Sequence, residues 1–97
     1  MFYVKCTGRT PFQGTDYESY VVFDADTPKD RIKAYSKECA IQNATNYAWK
    51  WEDSVRKKHL SMEEFNEEYQ NYISASIDAS EYKFLTETEF NYQLDHL

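Results

Sequence analysis

Apolar and polar positions alternate at the start of the chain. Phe2, Val4 and Cys6 fall on one side and Tyr3, Lys5 and Thr7 on the other, which predicts a half-buried strand. "GRTPFQGTD" follows with both glycines of the chain and one of its two prolines, so it reads as a loop. Tyr17 to Asp24 alternates again, Val21 and Phe23 against Tyr20 and Val22, and the two strands predict a hairpin with an extended loop. "DTPKD" then signals a helix start, with Thr27 as cap, Pro28 in the first helical position and Asp30 near the positive end of the dipole.

From Pro28 to Lys58 there is no glycine and no further proline. Ile32, Tyr35 and Cys39 form one helical stripe, and Ala40, Ala44, Tyr47 and Trp51 a neighbouring one. Weak helix formers predict a break between Asn43 and Trp49. Ser61 and Glu64 are spaced as a capping box, with Leu60 and Phe65 in hydrophobic-staple positions. Met62, Phe65, Tyr69, Tyr72, Ile73, Ser76 and Ile77 follow at helical spacing and mark a buried face. Tyr82 to Leu85 predicts a third short strand, and Thr86 with Glu89 a second capping box. Phe90, Leu94 and Leu97 favour a terminal helix, although Phe90, Tyr92 and Leu94 also alternate as a strand would. The expected fold is therefore one α+β domain over residues 1–97. An N-terminal antiparallel hairpin and a short third strand pack with an αα-hairpin and a C-terminal helix. The expected core includes Val4, Val21, Phe23, Phe65, Tyr69, Ile73 and Phe84.

Composition supports an ordered domain. Aromatic residues make up 18% of 97, nine of them tyrosine, too many for a disordered chain. Tyrosine gives large contact area at low entropic cost and suits recognition surfaces as well as core edges. Lys5 interrupts the one N-terminal apolar run, so no secretory signal is expected, and no stretch approaches the roughly 20 apolar residues of a membrane span. Cys6 and Cys39 lack paired spacing and read as small buried hydrophobes.

Charge changes the picture more. The net charge is −6, yet residues 1–59 hold ten Lys/Arg against eight Asp/Glu. Residues 60–97 hold Lys83 alone against nine acids. Within "SMEEFNEEYQNY", Glu63 faces Glu67 and Glu64 faces Glu68 one turn apart, an arrangement that costs a helix a few tenths of a kcal/mol per pair. The apolar stripe overrides that cost and leaves the carboxylates on the outer face. Glu63, Glu64, Glu67, Glu68, Asn71, Asp78 and Glu81 are thus the candidate partner-binding residues. A surface of this sign repels nucleic acid and attracts basic protein.

Little points to catalysis. His59 lies beside a helix boundary and His96 beside the end of the sequence, neither with an evident orienting partner. Asp24 and Asp26 flank a strand end, where acids are ordinary. The glycines fit no phosphate-binding pattern, and the Cys/His set lacks zinc spacing. No cofactor or metal is expected. "RKKH", Arg56 to His59, reads as positive charge at a helix C-terminus rather than a nucleic-acid patch. Trp49 and Trp51 read as core or core edge.

"YVVFDADTPKDRIKAYSKECAIQNATNYAW", Tyr20 to Trp49, resembles in pattern small proteins encoded by phages and mobile elements, and "FLTETEFNYQL" resembles their endings. The resemblance implies an anti-defence setting, of the anti-CRISPR or anti-restriction type, in the cytoplasm of a bacterial host. It transfers no functional residue. Two readings follow. In the first, a non-enzymatic inhibitor offers its acidic C-terminal half to a basic partner, such as a nucleic-acid-processing enzyme. In the second, a structural or adaptor domain self-associates, as a homodimer, through tyrosine-rich surface, and the charge serves only solubility.

Overall fold

The computed structural model describes residues 1–97 and shows a small α+β fold. Strand β1 (Phe2–Gly8) and strand β2 (Tyr17–Phe23) form the expected hairpin. Helix α1 (Lys29–Asn46), helix α2 (Ala48–Val55) and helix α3 (Met62–Asp78) follow. Strand β3 (Glu81–Leu85) and helix α4 (Glu87–Asp95) complete the chain. The sheet is antiparallel in the order β2-β1-β3, so the first strand is the central one.

Alternation along the strands separates two sheet faces. On one, Val4 and Cys6 are fully buried against Ile32 of α1, with Phe2, Val21, Phe23, Tyr35 and Tyr82 around them. On the other lies α4, whose Phe90 ring sits 5.1 Å from Tyr3 and 6.1 Å from Tyr20. The Tyr20 hydroxyl is 3.1 Å from Gln93 Oε1, so α4 reaches β2.

A second core lies away from the sheet. Ala44, Trp51, Val55 and Tyr72 are buried together, with Phe12, Leu60, Tyr69 and Ile73 packed on them. It exists because α1 and α2 break at Tyr47 (φ −104°, ψ 15°), inside the predicted window, and α3 folds back along α1. The Tyr72 hydroxyl donates to the carbonyl of Ala44 at 2.7 Å, fastening α3 to the last turn of α1. The hairpin loop braces this junction. Phe12 packs 5.8 Å from Tyr72, Asn43 donates to the carbonyl of Thr15, and Lys50 to that of Gln13. Thr10 and Thr15 hold the loop itself through buried hydroxyl bonds. Two small cores side by side give an elongated molecule. Its radius of gyration is 16.1 Å, against about 12–13 Å for a compact chain of this length.

Burial corrects several expectations. Phe65 and Phe84, expected in the core, are 37% and 40% exposed. Phe65 packs edge-on against Trp51 at the open end of the helical arm, where only one side of its ring is covered. Phe84 stands on edge strand β3 beside Phe2 and Tyr82, clear of α1 over the sheet centre. Val21, Phe23, Tyr69 and Ile73 are half-buried rather than fully enclosed. On α1 the fully covered stripe is Ile32, Ser36, Ala40 and Ala44. Of the tryptophans, Trp51 is core while Trp49 is 56% exposed, its ring under Lys50 Nζ at 5.6 Å. Thr27 does not cap α1. Its N–H closes a turn onto Asp24, which leaves Pro28 as the cap residue with no side-chain bond.

Candidate acidic interaction surface

Helix α3 carries most of the predicted site. Its start is the capping box expected from sequence: Ser61 Oγ accepts from the Glu64 N–H, and Glu64 Oε1 accepts from the Ser61 N–H, both at 3.1 Å. Those bonds stabilise the charged form of Glu64 and hold its carboxyl below the usual range. Glu68 lies 3.8 Å from Lys58 across the turn between α2 and α3. Two of the four glutamates therefore have local partners, and they are not equal members of a free surface.

Glu63 and Glu67 differ from them. Both are exposed, and neither makes an ion pair or a side-chain hydrogen bond. At about 100° per residue, Glu63, Glu67, Ser74 and Asp78 fall within roughly 60° of arc, with exposed Asn71 beside them. The buried residues Tyr72 and Ser76 lie on the opposite side. The line from Glu63 to Asp78 runs about 22 Å at the helical rise. Carboxylates stand at its two ends, with Asn71 and Ser74 between, so it is not a continuous phosphate-like ladder.

At its C-terminal end the line enters a cleft of about 410 Å³, where α3 meets the loop end of the hairpin. Asp78 and Glu81, both predicted, line it together with Asp16 and Glu18, which the sequence reading did not include. Glu18 is engaged by Lys5 at 3.5 Å and by the Tyr20 hydroxyl at 2.9 Å. Asp16, Asp78 and Glu81 have no ion pair, and Arg9 is the one basic residue in the lining. No three Asp, Glu, His or Cys side chains converge closely enough to hold a metal ion.

The cleft wall depends on a close approach at Gly8. A Cβ there would lie 2.7 Å from Tyr17 Cε1 and from its hydroxyl, so the tyrosine ring rests directly on the strand backbone. Burial, then the neighbouring thiols of Cys39 and Cys6, pushes the Tyr17 hydroxyl up to about 12. It is a structural wall rather than an acid–base group at neutral pH. Nothing in the local sequence around Asp16 marks it as a neighbour of Asp78. The antiparallel pairing of β3 with β1, Thr7 opposite Glu81, brings them together. No helix is long and apolar enough to cross a membrane. Comparison with family models, with curated proteins and with solved structures finds no match to this chain.

Proposed function

We propose that this chain is a non-enzymatic binding protein that presents the outer face of α3 and the adjoining cleft to a basic surface of another protein. The observation that carries the reading is two groups of unpaired carboxylates joined by the outer face of α3, Glu63 and Glu67 at its start and Asp78, Glu81 and Asp16 around the cleft at its end. Ten of the eleven Lys/Arg residues precede Leu60, and Lys29, Arg31, Lys33 and Lys37 are exposed on α1. Helix α3 itself carries no Lys or Arg, so its field is of one sign, which orients and accelerates encounter with a basic partner. The partner chemistry this suits is a Lys/Arg-rich protein surface, such as that of a nucleic-acid-processing enzyme, met at two acidic points, and covering such a surface inhibits its owner. The phage-like pattern of Tyr20 to Trp49 supports reading the setting as a bacterial host cytoplasm under anti-defence conditions. Exposed charges contribute little affinity alone, so neighbouring apolar and aromatic surface supplies the rest.

The test is a Glu63→Gln, Glu67→Gln, Asp78→Asn, Glu81→Gln variant against partners captured from bacterial lysate. Circular dichroism should stay native, because none of the four makes an ion pair. Association with a basic partner should slow by about tenfold or more, and its salt dependence should flatten. Unchanged association with unchanged salt dependence defeats the reading.

A further inference from the structure

β2 is an edge strand, with no neighbour on its outer side. It pairs with β1 without a bulge over seven residues, from Phe23 opposite Phe2 to Tyr17 opposite Gly8. The outward N–H and C=O groups form a template for a further strand. Proteins usually blunt such edges with Pro, Lys or a bulge. β2 has none of these, and its one charge, Glu18, is held by Lys5.

Helix α4 adds a second observation. It starts beside β3, crosses β1 at Tyr3 and reaches β2 at Tyr20. Its apolar stripe continues from Phe90 to Leu94 and Leu97, which are 41% and 78% exposed. Val22 on the same sheet face is 40% exposed. The stripe therefore runs on toward the β2 margin with no sheet beneath its end.

Helix α1 adds charge complementarity. Tyr35 packs on Phe23, and Cys39 neighbours Tyr17, so α1 runs opposite to β2. Arg31 and Glu38, about one turn either side of Tyr35, are exposed on this flank. A two-fold axis through β2 reverses the order and sets Arg31 of one copy toward Glu38 of the other.

We infer that two copies of this chain pair antiparallel through β2, making one six-stranded sheet in the order β3-β1-β2-β2-β1-β3. The register centres on Val21. It sets Tyr20 opposite Val22 of the second copy, an aromatic–β-branched pair, whereas centring on Tyr20 would set Val22 opposite Glu18. The ends of α4 meet over the joint and cover Leu94 and Leu97. Glu63 and Glu67 on α3 stand away from the joint, whereas Asp16 and Glu18 border it, so Val22 variants test the dimer separately from the Glu63 and Glu67 end of the acidic surface.

Light scattering after size exclusion should give twice 11.6 kDa at high concentration. Val22→Lys places a charge at the joint and should weaken dimerisation by about tenfold or more with native circular dichroism. Val22→Thr should keep the dimer. Amide exchange on the wild type supplies a reading free of folding effects: the outward amides of β2 should lose protection on dilution. A mass of 11.6 kDa at every concentration up to about 1 mM overturns the inference. So does a dimer that ignores Val22→Lys, or β2 protection that ignores dilution.

Discussion

Tyr72 joins both parts of the helical arm, and Tyr72→Phe isolates a single bond of that joint. The residue is 4% exposed, and its hydroxyl donates to the carbonyl of Ala44 at 2.7 Å, one turn before the break at Tyr47. Removing the hydroxyl keeps the ring stacked near Trp51 and packed against Phe12 and Tyr69, so the change is polar rather than steric. Losing a neutral hydrogen bond costs about 0.5–1.5 kcal/mol, and leaving a buried acceptor short of a partner costs about 1–3 kcal/mol. An expected loss of about 1–2 kcal/mol follows. For a domain of this size that lowers Tm by roughly 5–12 °C. Urea denaturation followed at 222 nm measures the free energy directly, with the slope against denaturant unchanged if the native state stays compact. A loss under about 0.3 kcal/mol would refute the reasoning, because the bond would then contribute nothing net to the joint.

Trp51 and Phe65 are partners in one aromatic contact but differ in burial, 4% against 37% exposed. Trp51→Ala should cost about 3–5 kcal/mol and Phe65→Ala only about 1–2 kcal/mol, and equal losses by denaturation would show that the arm is closed over Phe65. Stability should also fall in alkali. Burial raises the Cys6 thiol from 9.0 to about 11 and the Tyr17 hydroxyl from 10.0 to about 12. Both groups fold in their neutral form, so their contribution is complete below the unfolded value and is lost as pH rises from about 9 toward 12. A Tm that holds constant across that window contradicts the burial of the pair.

Local signals were legible because they need no tertiary information. Both capping boxes formed as spaced, Thr86 with Glu89 repeating the Ser61–Glu64 pattern, since each bond spans only three residues. The second box also explains why Phe90 begins a helical stripe rather than a strand. Thr27 failed as a cap because "DAD" could close its own turn first. Long-range placement was less legible. Periodicity marks the apolar face of α3, but says nothing of which part overhangs its neighbour, so Phe65 was placed too deep. Which hairpin strand takes β3 is a long-range choice: pairing with β1 makes β1 central and sets Phe84 at the sheet margin opposite β2. The carboxylates on α3 were legible as an outer face. Their continuation into Asp16 and Glu18 was not, because sixty residues separate Asp78 from Glu18 and only the sheet joins them.

The loop between β1 and β2 has a mechanical consequence. Tyr47 breaks the helical run, and the core of the arm takes Ala44 from α1 and Tyr72 from α3, so sheet and arm are two cores joined by α1, α3 and the loop. The loop is the third of these ties, a strut laid across the joint. Covalently it belongs to the sheet, yet Phe12, Gln13 and Thr15 are fastened to the arm or beside the break itself. Cutting the strut at exposed Gly14, where φ is +79° and Lys50 Nζ is the near neighbour, removes one of three ties and leaves α1 and the continuous helix α3 to hold the angle. The acidic face of α3 spans both cores, from Glu63 at the arm's tip to Asp78 at the sheet. Its straightness is that of one unbroken helix, while the loop ties its middle, at Tyr72, to the hairpin and adds Asp16 to the acidic cleft at its far end.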